Sequence, residues 1–157
     1  MSTLTLVHVI LSLIGIAAGL VVLIGLLGGK LLARWNALFL TTTIATSVTG
    51  FFFPFHGVTP GIVIGVLSLI ALGIAITALN FFHLTGIWRK TFVVTAMLAL
   101  YFNVFVLIVQ LFVKVPALKA MAPTQSEPPF AIAQGFTLVL FAVLTTMAAK
   151  RFGKPVR

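Results

Sequence analysis

Five apolar runs, each near twenty residues long, set the pattern of this chain, and short polar or proline- and glycine-bearing stretches separate them. The runs cover about residues 4–27, 36–53, 61–83, 91–113 and 130–149. A helix rises about 1.5 Å per residue and needs about 20 apolar residues to cross a hydrocarbon core. The breaks carry residues that do not continue a helix. They are Gly28-Gly29-Lys30, the Pro54–Pro60 segment with two prolines and Gly57, Trp88-Arg89-Lys90, and residues 114–129 with four of the seven prolines. The pattern predicts an all-α integral membrane bundle of five transmembrane helices, forming one domain over residues 1–157.

The second run is the shortest and most polar. Its eighteen residues reach only about 27 Å. Its centre carries six hydroxyls, on Thr41, Thr42, Thr43, Thr46, Ser47 and Thr49. These either line a polar path or bond carbonyls one turn back and on neighbouring helices. The competing topology has four spans, with this segment lying in the interface. Small residues mark two further faces: Gly15 and Gly19 form one GxxxG spacing, Gly61 and Gly65 another. Such faces let helix backbones approach closely, inside the bundle or across a homodimer.

Composition agrees with a membrane protein. Hydrophobic residues make up 61% of the chain and charged residues 7%, where a soluble domain carries about 25% charged. The net charge of +9 does not make a nucleic-acid surface, because the ten cations fall in short clusters between apolar runs. Cysteine is absent, which excludes thiolate chemistry and Cys-ligated metal. The first residues lack the basic n-region of a signal peptide, so the first run is expected to be retained as a span.

Charge also orients the chain. With five spans, Lys30, Arg34, Arg89, Lys90, Lys150, Arg151, Lys154 and Arg157 share one side, and only Lys114 and Lys119 fall on the other. The positive-inside rule makes the first side cytoplasmic, with the N-terminus outside. Anionic lipids are the expected partners of that basic face.

The remaining polar residues are few enough to place individually. Asn103, Gln110 and Lys114 stand at i, i+7 and i+11, one face of the fourth helix, running from mid-bundle to the outer rim. Polar residues at depth turn toward the bundle interior. This stripe, with Gln134 and His56, is expected to line an outward-facing notch. The 114–129 loop, which holds the sole carboxylate Glu127, would cover the notch as an ordered, non-helical lid. The competing reading makes Asn103 and Gln110 interhelical hydrogen-bond glue and pairs Glu127 with Lys114 or Lys119.

Specific chemistry finds little support. His8, His56 and Glu127 share a side, but no HExxH or i, i+4 histidine pair supports a metal site or a proton relay. His56 and His83 bracket the third run, about 40 Å apart along a helix, and cannot hold one haem between them. His83, at the inner end of that run, is expected to sit against the helix dipole. No phosphate-binding loop, dinucleotide fingerprint or GxSxG is present, and no cofactor is expected.

The segments Phe55–Pro60, Tyr101–Val106, Lys114–Leu118 and Ala122–Phe130 are similar to those of a group of uncharacterised small bacterial integral membrane proteins. That resemblance covers most of the chain from the second run onward. It implies a bacterial inner membrane and brings no activity, substrate or cofactor. The functional expectation is a binding or structural membrane protein, such as an accessory subunit of a larger membrane assembly or a homo-oligomer. The alternative is a small transporter working through the polar notch.

Overall fold

A computed structural model describes residues 2–54, 57 and 59–153. It contains six helices: α1 (Thr3–Leu27), α2 (Ala33–Gly50), α3 (Pro60–Asn80), α4 (Trp88–Lys114), α5 (Pro116–Met121) and α6 (Pro128–Phe152). Among the described residues there is no strand.

Local chemistry fixes most of the helix ends. Ser2 caps α1 by accepting from the Thr5 N–H, and Thr59 caps α3 through the Ile62 N–H. Pro60, Pro116 and Pro128 stand in the first turns of α3, α5 and α6, where a missing N–H costs nothing and φ is already helical. That is why the stretch at 114–129, expected to be non-helical, contains α5. At the end of α1, Gly29 takes a φ of 74° and Lys30 N–H bonds back to the Gly25 carbonyl.

Several helix ends differ from expectation: α4 begins at Trp88 rather than Thr91, so Trp88–Lys90, expected as a break, are helical, and α6 runs to Phe152 rather than Ala149. The second helix begins at Ala33 rather than Asn36 and ends at Gly50, so residues 51–53 turn instead of continuing it. The third ends at Asn80 rather than His83. His83 and Leu84 adopt left-handed φ values of 46° and 56°, the Leu84 N–H closes onto the Ala78 carbonyl, and the Phe82 ring stacks on Trp88 at 3.9 Å. His83 is thus an exposed residue of the turn, not the last residue of the helix.

Four helices, α1, α3, α4 and α6, are long and apolar enough to cross a membrane. The more polar α2, with Arg34, Asn36 and its six hydroxyls, is not among them. It nevertheless runs antiparallel along α1. Its start packs at Gly25 through Leu32, and its end meets the start of α1 through the His8–Thr49 hydrogen bond. The two ends of the bundle are chemically distinct. The Glu127 end holds the starts of α1, α3 and α6, the ends of α2 and α4, and α5. The basic end holds Lys30, Arg34, Arg89, Lys90, Lys150 and Arg151.

The core lies at mid-bundle and toward the basic end. Phe39, Leu26, Leu72, Phe92, Met97 and Leu100 are all fully buried there. On the opposite side of the bundle, α6 leaves Ile132, Phe136 and Val139 more than 60% exposed, an apolar surface suited to lipid. Gly19 sets the closest approach. A Cβ there would lie 2.6 Å from Leu100 Cδ1 and 2.9 Å from the Phe39 ring. Gly73 faces open space, and a methyl added there would meet no atom within 4 Å.

This contrast predicts opposite outcomes for the same chemical change. Gly19→Ala should overpack the core and destabilise by about 1–3 kcal/mol. Gly73→Ala should be neutral or stabilising by up to about 1 kcal/mol through helix propensity. Thermal unfolding of the two variants in detergent checks both; equal melting temperatures would remove Gly19 as a packing determinant.

Candidate functional site

In the half of the bundle toward the Glu127 end, α1–α4 stand apart around a cavity of about 820 Å³. The volume lies within the range of small-molecule sites, about 300–1,000 Å³. Three helices contribute polar stripes, Thr5, His8 and Ser12 from α1, Thr43, Thr46 and Ser47 from α2, and Asn103, Gln110 and Lys114 from α4, while α3 adds the single hydroxyl of Ser68. Aliphatic walls lie between the stripes, among them Val9, Leu13, Val106, Leu107 and Leu111.

The floor is built at Gly15. A Cβ at this position would lie 3.1 Å from both Thr42 Oγ1 and Thr43 Oγ1 and 3.3 Å from Asn103 Nδ2. Glycine therefore lets α2 and α4 bring polar side chains to the α1 backbone at mid-bundle. Just above, the Ser12 hydroxyl donates to Asn103 Oδ1 at 2.8 Å, and Asn103 Nδ2 reaches the Ser12 carbonyl at 3.5 Å. Ser47 donates to Ser68 at 3.4 Å and joins α2 to α3. Higher up, a nitrogen of His8 meets Thr49 Oγ1 at 2.9 Å, and the His8 ring stands edge-on to Phe53 at 5.2 Å.

The hydroxyls of α2 divide by what they bond. Thr42, Thr46 and Thr49 donate to the carbonyls of Leu38, Thr42 and Ala45, one turn back. That is the ordinary fate of a helical threonine. Thr43 is 1% exposed and its Oγ1 has no partner; it turns toward Gly15.

The residues expected to form the notch separate into three groups. Asn103, Gln110 and Lys114 lie along the cavity wall. Gln134 and Glu127 are not among the lining residues. Gln134 Nε2 donates to the Phe105 carbonyl at 3.2 Å and ties α6 to a different face of α4. Glu127 accepts from the Thr124 hydroxyl at 2.9 Å and from the Thr124 and Ser126 N–H groups at 3.1 Å, so its hydrogen bonds stay within its own turn instead of reaching Lys114 or Lys119. His56 lies outside the described residues. Among the glycines, Gly15 and Gly19 pack inside the bundle, Gly65 faces the Phe51 ring, which a Cβ added there would meet at 3.1 Å, and Gly61 stands exposed beside the cavity. Among the described residues, no three His, Cys, Asp or Glu side chains gather as metal ligands.

Sequence reading missed Ser12 and Ser68 as wall residues, while Ser47 was among the hydroxyls expected either to line a polar path or to bond carbonyls. The signal for the first was present: Thr5, His8 and Ser12 repeat at i, i+3 and i+7 on one face of an otherwise apolar helix. The structure also divides the two amides that were grouped together. Asn103 is 7% exposed and bonded to Ser12, whereas Gln110 is exposed and makes no hydrogen bond to the described chain.

Glu127 shapes the turn before α6. Partial desolvation pushes its pKa up. The Thr124 hydroxyl and the N–H groups of Glu127, Thr124 and Ser126 outweigh this and hold it below the usual carboxylate value. A carboxyl depressed in the folded state lends its stabilisation above the ordinary glutamate pKa of about 4.3 and loses it as pH falls through the lowered value. Protection of the Thr124 and Ser126 amides against hydrogen exchange should therefore hold at neutral pH and collapse in acid. Glu127→Gln should show weak protection throughout, and pH-independent protection in the native chain would refute the carboxylate's role. Separately, Asn103→Leu should destabilise by about 0.6 kcal/mol and at most about 2, while Gln110→Leu leaves the melting temperature unchanged. An equal loss in both would mean that Gln110 is also interhelical glue.

No family model, no curated protein and no solved structure matches this chain. The geometry of the cavity is the ground for a functional reading.

Proposed function

We propose that this protein is a five-span bacterial inner-membrane protein of binding type, taking a small ligand into the cavity from the outer side. One observation carries the reading: a cavity of about 820 Å³ is lined by polar stripes of α1, α2 and α4 with Ser68 of α3, and its lining residues stop at mid-bundle. Below its floor the interior is filled by Phe39, Leu72, Met97 and Leu100, all fully buried. A closed, packed half suits a receptor or accessory subunit that holds its ligand, better than an open conduit.

Several features support the topology. The α2 helix lies antiparallel along α1 for its whole length, which favours a fifth span over an interfacial helix. Among the described residues, six of the eight cations fall at one end of the bundle, as the positive-inside rule asks of a cytoplasmic face. The assignment to a bacterial inner membrane rests on the resemblance read from the sequence segments alone. A transport cycle is the second reading, favoured by the one-sided opening of a polar cavity; it would require the packed half to open in turn.

The native chain lacks cysteine, so a single introduced thiol is the only target for labelling. A membrane-impermeant maleimide applied to intact spheroplasts should label Gln125→Cys at once. It should label Lys30→Cys and Arg89→Cys only after permeabilisation. Labelling of Lys30→Cys and Arg89→Cys from opposite sides would overturn the five-span topology.

A further inference from the structure

The cavity carries a charge bias that identifies its ligand class. Among its lining residues, Lys114 is the lysine or arginine, and His8 is the other ionisable group. No carboxylate can oppose them from any wall, because the chain has only one acidic side chain. That side chain, Glu127, is held by Thr124 and Ser126 in its own turn. The Lys114 ammonium thus stands exposed at the mouth without an acidic partner. One turn below it on the same face, the Gln110 amide is also exposed and makes no hydrogen bond to the described chain.

These two groups form a donor pair at the rim, above walls made of Val9, Leu13, Leu107 and Leu111. A small inorganic anion would leave those walls bare, and moving it deeper would strip its hydration with no second cation to compensate. A cationic amphiphile would meet only like charge. Most floor hydroxyls are partnered, as in the Ser12–Asn103 and Ser47–Ser68 pairs, and the unpartnered Thr43 Oγ1 is neutral, so the depth of the cavity asks for no charge.

We infer that the cavity binds a single-chain amphiphile with an anionic head, the head at Lys114 and Gln110 and the apolar body between the aliphatic walls. This rests on the reading of the cavity as an open ligand site. The same head chemistry can come from a free carboxylic amphiphile or from an anionic lipid of the leaflet.

The test uses the full-length Ser47→Cys variant in phosphatidylcholine nanodiscs. Ser47 lines the cavity, is half-buried, and is not part of the rim pair. The rate of its modification by methyl methanethiosulfonate, a small uncharged reagent, is read alone and with decanoate, decanol or decyltrimethylammonium. Decanoate should slow the reaction by about two- to fivefold relative to decanol, the range that an exposed ion pair supports. Decyltrimethylammonium should not slow it more than decanol. Adding Lys114→Gln should bring decanoate to the level of decanol, and Lys114→Arg should retain its advantage. Slower modification in nanodiscs containing phosphatidylglycerol, without decanoate and dependent on Lys114, would identify the leaflet as the source of the head. Equal protection by the three amphiphiles, or an advantage of decanoate that survives Lys114→Gln, overturns the anionic class and leaves the open cavity standing. No modification of Ser47→Cys under any condition overturns the cavity reading itself.

Discussion

The close approach of α1 to α2 and α4 at Gly15 and Gly19 is the constraint that shapes the bundle. In lipid, helices gain little from the hydrophobic effect when they associate, so close packing and hydrogen bonds must hold them. Gly19 lets the Phe39 ring and Leu100 press against the α1 backbone. One turn nearer the Glu127 end, Gly15 admits the hydroxyls of Thr42 and Thr43 and the amide of Asn103. One position thus makes an apolar contact and the next a polar one. Above Gly15 the interior face of α1 bears Ser12, Val9, His8 and Thr5, and the four helices separate around the cavity. The cavity is a consequence of where the glycines end.

Scarcity of carboxylate governs the rest. Ten cations share one acidic side chain, so the chain cannot neutralise its charges by pairing. The basic end uses carbonyls instead. Arg89 Nε donates to the Phe152 carbonyl at 2.9 Å and lays its guanidinium 4.3 Å above the Phe152 ring, and Arg151 donates to the Leu27 carbonyl at 3.1 Å. These are the ends of α6 and α1, where unpaired carbonyls and the helix dipole both favour a cation. The planar guanidinium fits that task, since it can bond a carbonyl and cover an aromatic face together. At the opposite end the one carboxylate is engaged by its own turn, which leaves Lys114 without a counter-charge.

Much of this architecture was legible in the sequence because membrane helices announce themselves by length and apolar content. Helix positions came within a few residues of the runs, and the α4 stripe located Asn103, Gln110 and Lys114 on one face. What failed had physical causes. A proline-rich stretch reads as a break, yet proline in a first turn also starts a helix, so α5 was missed. Gln134 lies near the same end of the bundle as Gln110, but rotation about the α6 axis, which sequence does not fix, turns it to the Phe105 carbonyl. Glu127 was assigned to a lysine by charge alone. Three hydrogen-bond donors within three residues of it satisfy the carboxylate with no long side chain to immobilise.

The separation of Asn103 from Gln110 shows how polar residues in such a bundle can be read. A polar group inside a membrane protein needs a partner, and most here have one supplied by the fold: backbone for Thr42, Thr46 and Thr49, Asn103 for Ser12, Ser68 for Ser47. Packing accounts for such residues without further purpose. Gln110 and Lys114 are different in kind. They occupy the same face as Asn103, they line the same cavity, and among the described residues they have no hydrogen-bond partner. Hydrogen bonding within the fold explains most polar residues at the floor, Thr43 excepted, and does not explain the charged and amide groups at the rim, so the rim is where an anionic head must be sought.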